Sequence, residues 1–228
     1  MNTERTRGPS GIRDALETVN RARAAAERAD RIDPAEPVRE AYREPGWEDL
    51  PPEPRTEGWR AELPSRLRWA QLEDFHGTVA DALTAWSVNP DGRNLILTGP
   101  VGVGKSHAAV AACRRSAEVG LEVVFLPAVE LFELLRPQGP PGLLWDLMDV
   151  DRLIIDDVGA ERPTDWSIDR LYALVNRRWL EERPTIITTN LDPREPLETA
   201  VRADTYSRLV GSEAVIVKLS GQDRRRAR

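Results

Sequence analysis

The sequence predicts an α/β fold: a five-stranded parallel sheet sandwiched by helices, preceded by a helical and extended N-terminal extension. Five short apolar runs, residues 95–98, 122–126, 152–157, 185–190 and 214–218, have the length and aliphatic content of buried strands. Helix-compatible stretches separate most of them, and strands alternating with helices imply parallel pairing with both sheet faces covered. The third observation is a glycine-rich loop, residues 99–106, set between the first strand and the helix that follows it.

Taken in order, residues 10–31 can form a helix with Ser10 as N-cap and Ile12, Leu16, Val19 and Ala26 near one face. That face is thin, and it fits either a partner-docking helix or a solvated one. Between residues 33 and 64 the composition shifts: seven of the 18 prolines fall here among many charges, and an extended linker is expected. Trp47 and Trp59 are unusual in such a segment. Order resumes near Leu67, which divides the chain into an extension, residues 1–66, and a folded domain, residues 67–228. Residues 78–86 read as a helix carrying Val79, Leu83 and Trp86, stopped by Asn89-Pro-Asp-Gly92. An alanine-rich helix, residues 107–118, follows the glycine loop. Two short helical pieces, 129–135 and 143–149, precede the third strand. A long amphipathic helix, 165–182, then carries Ile168, Leu171, Tyr172, Val175 and Trp179 at helical spacing.

The loop Gly99-Pro-Val-Gly-Val-Gly-Lys-Ser106 fits G-x-x-x-x-G-K-[ST] in the strand–loop–helix setting that pattern requires. Gly99, Gly102 and Gly104 let the backbone curl so that successive N–H groups point inward around a phosphate, with Pro100, Val101 and Val103 completing the cradle. The helix that continues through His107 offers its N-terminal amides and positive dipole end to the same anion. Lys105 can reach the β- and γ-phosphates of a nucleoside triphosphate, and the Ser106 hydroxyl can ligate Mg²⁺. The chain has 30 arginines but only two lysines, Lys105 and Lys218. A lysine retained at this position suggests a need for a compact ammonium that a planar guanidinium does not meet.

Asp156 closes the apolar run Leu153-Ile-Ile and emerges at the carboxyl end of a buried strand, the edge where open α/β sheets bind ligands. A carboxylate there suits Mg²⁺ held together with Ser106, and Asp157 beside it can orient or deprotonate an attacking water. Asn190 stands at the same edge of the next strand, where an amide can position the water or feel the γ-phosphate. The competing reading of Asn190 is a turn before Pro193.

Composition excludes several other classes. A net charge of −6 argues against coating nucleic acid by bulk electrostatics, while leaving room for a local basic surface. The single cysteine, Cys113, excludes disulfides and cysteine zinc sites within one chain, and with only His76 and His107 no structural metal is expected. There is no apolar leader and no run near the roughly 18 residues of a membrane span, so a cytoplasmic protein with no membrane partner is expected.

With these residues in place, the chain resembles the AAA+ ATPases of the DnaC/IstB family, and most of all the DnaC-type replicative helicase loaders. The likeness is carried by the loop with His107, by Leu153-Ile-Ile-Asp-Asp-Val-Gly159, and by Leu171-Tyr-Ala-Leu-Val-Asn-Arg-Arg-Trp179. Arg183-Pro-Thr-Ile-Ile-Thr-Thr-Asn-Leu191, Tyr206-Ser-Arg-Leu209 and Gly221-Gln-Asp-Arg-Arg225 extend it, in order, over roughly residues 67–228. The resemblance implies a P-loop AAA+ core that binds and hydrolyses ATP with Mg²⁺ at subunit interfaces of an oligomer. Asp156 and Asp157 would be the Walker B pair, with Asp157 where many AAA+ proteins carry Glu, a shorter side chain that implies slow turnover. Asn190 would be sensor 1. Arg208 would be the arginine finger that reaches a neighbour's site, its rival reading being a plain exposed helical arginine. Arg225 best matches sensor 2, although Arg224 and Arg226 leave the register open. Phe75, in the lead-in Leu72-Glu-Asp-Phe75, would lie near the adenine. The chain ends 10 residues after Lys218, so the separate helical lid of larger AAA+ proteins is expected to be absent.

The function implied is that of a helicase loader: the N-terminal region docks a replicative helicase, and the core assembles and holds single-stranded DNA. The alternatives are an IstB-type transposition helper acting on duplex DNA with a transposase, and a nucleotide-gated adaptor with little turnover.

Overall fold

The structure, a computed structural model, describes residues 55–223 apart from residues 89, 137–138, 141, 160–163 and 212–213. The helix expected over residues 10–31, most of the expected linker with Trp47, and Arg224 to Arg228 lie outside the described residues.

Five strands, β1 (Leu95–Thr98), β2 (Val123–Pro127), β3 (Arg152–Val158), β4 (Thr185–Thr189) and β5 (Val215–Lys218), form one sheet in the order β2-β3-β4-β1-β5. Every pairing is parallel, as the strand–helix alternation requires. The helices are α1 (Arg55–Glu62), α2 (Gly77–Val88), α3 (Lys105–Glu118), α4 (Ala128–Leu134), α5 (Leu143–Asp149), α6 (Asp165–Leu180), α7 (Glu195–Val201) and α8 (Ala203–Val210).

The strands alternate between two cores, because successive side chains point to opposite faces. Leu95 and Leu97 of β1 join Trp59, Leu83, Trp86 and the alanines of α3. Ile96 between them joins Leu131, Leu147, Leu171, Leu174 and Leu209 on the other face. Helices α1 to α3 therefore cover one face and α4 to α8 the other. The alanine run of α3 fits its central place: Ala108, Ala109, Ala111 and Ala112 are fully buried, and only small side chains let a helix lie this close to a sheet.

Two differences from expectation have local causes. Residues 55–62, placed in an extended linker, are helical, and Trp59 and Leu63 are 7% and 2% exposed in the same core as Trp86. Two apolar residues four apart are too few to mark a helix beside Pro51, Pro52 and Pro54, so the tertiary contact decides it. Helices α7 and α8 are likewise absent from the sequence expectation, because each is short. They are seven and eight residues long, with Pro196 in the first turn of one and Arg202, at φ 74°, joining them.

Arg178 on α6 is fully buried at the amino-terminal side of the sheet. Its guanidinium donates to the carbonyls of Leu147, Val150 and Pro184 at 3.0, 2.7 and 2.7 Å and to the Thr185 hydroxyl at 3.0 Å. It thereby ties the end of α5 to the start of β4. Among the described residues no helix is long and apolar enough to cross a membrane.

Candidate nucleotide site

The order β3-β4-β1 sets three carboxyl ends side by side, and each delivers one part of a site. From β1 comes the glycine loop, from β3 Asp156 and Asp157, and from β4 Asn190. Gly104, at φ 102°, is the left-handed N-cap of α3, so the first-turn amides of that helix open toward the loop. Gly102, at φ 82°, is in a conformation that strains any L side chain, and a Cβ there would stand 1.9 Å from Asp223 Oδ1, so that carboxylate would have to move.

The side chains of the loop and the strand ends form a closed circuit of hydrogen bonds. Lys105 Nζ, on a residue only 7% exposed, donates to the Gly99 carbonyl at 2.9 Å, the Pro100 carbonyl at 2.8 Å and Asn190 Oδ1 at 2.6 Å. Asn190 Nδ2 donates to Asp157 Oδ1 at 2.8 Å. The Asp157 amide donates to Thr188 Oγ1 at 2.8 Å, and that hydroxyl donates to Asp156 Oδ1 at 2.6 Å. Ser106 Oγ donates to Asp156 Oδ2 at 2.9 Å, which returns the circuit to the loop.

Asp157 is held in an uncommon backbone conformation, φ 61°, at the register shift between Ile155 and Val158 where β3 pairs with β4. Such a conformation costs a non-glycine residue roughly 1–3 kcal/mol and persists only where its surroundings enforce it. The shift leaves Asp157 exposed while Asp156, one residue earlier, is half-buried. Burial pushes the Asp156 carboxyl above the usual carboxylate range. The hydroxyls of Thr188 and Ser106 oppose that shift, and the Lys105 charge does so more weakly.

Beside the loop, His107 Nε2 lies 2.6 Å from Asp74 Oδ2, and the Phe75 and His107 rings are 6.0 Å apart. Phe75 is buried at 6% exposure, so the lead-in packs directly against the first turn of α3. Arg208 is elsewhere. Its carbonyl accepts from Asn94, just before β1 and so at the opposite end of that strand from the loop. Its guanidinium donates to Asn176 Oδ1 at 3.0 Å and lies over the Tyr172 and Trp179 rings at 5.8 and 5.5 Å. The structure thus brings together Lys105, Ser106, His107, Phe75, Asp156, Asp157 and Asn190, and does not bring Arg208 to them. Arg225 falls outside the described residues.

The donor set fits a magnesium nucleotide. Left-handed glycines and a helix N-terminus suit a phosphate chain, and the Ser106 hydroxyl beside the Asp156 carboxylate is a hard-oxygen pair of the kind Mg²⁺ takes when phosphates supply further ligands. Among the described residues no group of three or more His, Cys, Asp or Glu side chains could hold a metal ion.

Two residues near the site were not assigned a role from sequence. Thr188 is a polar residue in a buried strand, two before Asn190, and that position was its only signal. Asp223 lies in the Gly221-Gln-Asp-Arg motif, but nothing in the chain announces that the segment after β5 lies on the loop.

A parallel sheet in this order, with a phosphate loop after the interior strand β1 and an acidic pair on β3, defines a P-loop protein of the AAA+ fold. The family model described as IstB-like ATP binding protein matches residues 68–200, and the chain belongs to that family. Among known relatives, the replicative helicase loader DnaC of Escherichia coli K12 is 26% identical over 130 residues, covering 54% of this chain and 48% of that protein. The replicative helicase loader DnaI of Bacillus subtilis is 31% identical over 137 residues, covering 58% and 42%. An ATP-binding protein of a Mycobacterium tuberculosis insertion sequence is 33% identical over 152 residues, covering 58% and 60%. The chain thus spans about half the length of the relatives it matches. The crystal structure of the DnaC helicase loader superposes with a TM-score of 0.60 at 22% identity, over 69% of this chain and 100% of that one, a likeness of fold.

Proposed function

We propose that this chain is an ATPase whose site is completed by a second copy, and that it loads a replicative helicase onto single-stranded DNA. One observation carries the catalytic part: Lys105, Ser106, Asp156, Asp157 and Asn190 share one circuit, while Arg208 stands at the far end of β1. An arginine placed there can meet a γ-phosphate only in another subunit's site. The loop amides and Lys105 bind the phosphates, and Ser106 and Asp156 hold Mg²⁺, which offsets phosphate charge when bound. Asn190 orients a water, and the Asp157 carboxylate takes its proton as the water oxygen bonds to the γ-phosphorus and the bond to the ADP oxygen breaks. Arg208 of the second copy stabilises the charge that develops. His107 and Phe75 border the nucleobase, and Arg225 acts as sensor 2.

The test compares ATP hydrolysis by wild type, Lys105→Ala and Arg208→Ala, alone and mixed. Each variant alone should be inactive, and mixing should restore part of the rate, because Lys105→Ala subunits lend Arg208 to intact loops. Wild-type rates in both variants would refute the site, and no recovery at any ratio would refute its completion by a second copy.

The loader role is supported by the two loader relatives and rests on the N-terminal region as the docking element. Co-purification with a replicative helicase tests it, using full-length protein and a deletion of residues 1–54. The deletion stops there because Trp59 and Leu63 are core residues. The insertion-sequence relative supports a second reading, a transposition helper on duplex DNA. Full-length protein that binds a transposase and no helicase would favour it.

A further inference from the structure

Thr188 is 1% exposed in β4. A threonine hydroxyl has one proton to give and lone pairs to accept with. At Thr188 the proton goes to Asp156 Oδ1 at 2.6 Å, and the oxygen accepts the Asp157 amide at 2.8 Å. One oxygen therefore touches both members of the acidic pair, the first through its carboxylate and the second through its backbone. Neighbouring threonines of β4 are used differently. Thr189 Oγ1 donates to the Val158 carbonyl at 2.7 Å, and Thr185 Oγ1 accepts from Arg178 at 3.0 Å.

The two contacts have separate consequences. Engaging Oδ1 fixes the plane of the Asp156 carboxylate and leaves Oδ2 turned to Ser106, 2.9 Å away. Accepting the Asp157 amide holds that residue at φ 61°, in the register shift that sends its side chain out to Asn190.

We infer that Thr188 is a positioning residue whose hydroxyl divides the acidic pair, holding Asp156 toward Ser106 as a metal ligand and Asp157 toward Asn190 as the water-facing group. This rests on the reading of Ser106 and Asp156 as the metal side of the site. Removing an oriented outer partner of a metal ligand typically costs 10–100-fold in metal affinity or activity.

The experiment uses the full chain and three variants: Thr188→Val keeps the shape without the hydroxyl, Thr188→Ala removes hydroxyl and bulk, and Thr188→Ser keeps the hydroxyl. Binding of a fluorescent ATP analogue is measured in EDTA and across a Mg²⁺ titration, alongside kcat and KM. In EDTA all four proteins should bind alike. The Mg²⁺ concentration for half-maximal effect should rise about 10-fold or more in Thr188→Val and Thr188→Ala. Their kcat should fall while KM for ATP holds, and Thr188→Ser should match wild type. Unchanged Mg²⁺ midpoints in both hydroxyl-free variants would overturn the inference, as would a Thr188→Ser protein as impaired as Thr188→Val. A wild type with no Mg²⁺ effect on binding would instead remove the metal reading on which the inference rests, whatever the variants do.

Discussion

Replacing Arg178 with methionine should destabilise the protein even though it removes a fully buried charge. The two effects oppose each other and can be weighed. Exchanging buried ion pairs for apolar residues of similar volume is often neutral or stabilising by about 1–4 kcal/mol, because the desolvation of charge is relieved. Here, however, the close partners of the guanidinium are the Leu147, Val150 and Pro184 carbonyls, at 3.0, 2.7 and 2.7 Å. Backbone acceptors cannot be mutated away, and each left buried without a donor costs roughly 1–3 kcal/mol. The Leu147 carbonyl also belongs to the last turn of α5, whose negative dipole end favours a cation. Burial lowers the pKa of the guanidinium to about 9, which still leaves it charged at neutral pH. Three orphaned carbonyls outweigh the relieved desolvation, for a net loss of about 3 kcal/mol. With a urea m-value of about 2 kcal/mol/M, the midpoint should fall by roughly 1.5 M. Arg178→Ala should be worse, since it adds a cavity. An Arg178→Met midpoint equal to or above that of wild type would refute the reasoning, showing that desolvation rather than carbonyl satisfaction dominates.

Burial raises the Cys113 thiol from 9.0 to about 12, with Arg152 and Arg178 pulling weakly the other way. Its folded pKa is therefore above the unfolded one, so the stability it contributes is complete below pH 9 and is lost as pH rises toward 12. At pH 8 a thiol reagent should label the native protein far more slowly than the urea-unfolded chain; equal rates would place the thiol at the surface. Asn94→Leu should cost about 2–4 kcal/mol in thermal or urea unfolding, since it orphans the Thr185 amide and the Arg208 and Leu209 carbonyls. Gly102→Ala should weaken nucleotide binding, because its Cβ meets the Asp223 carboxylate and its φ is 82°. Adding Asp223→Ala should recover part of that loss, and strict additivity of the two changes would show that they do not touch.

Much of the site was legible before the fold was known, for a physical reason. Gly99 to Ser106 are contiguous, so the chemistry of a phosphate loop is written in adjacent letters. Asp156 and Asn190 could be placed because each ends a buried apolar run, and a parallel sheet brings such ends to one edge. Arg208 could be named only by resemblance, since nothing local sets one arginine of an eight-residue helix apart from the other arginines of the chain.

What the sequence determined by itself is local: which stretches form strands, that they alternate with helices, and that one loop is built to hold phosphate. These follow from residues within a few positions of each other. The tertiary structure alone decided which core each helix joins, that Trp59 belongs to the folded domain, and that Arg178 closes the far end of the sheet. It also joined Lys105 through Asn190, Asp157, Thr188 and Asp156 back to Ser106. Hydrogen bonds between residues more than 30 positions apart exist only once the strand order is set, and no local pattern encodes that order.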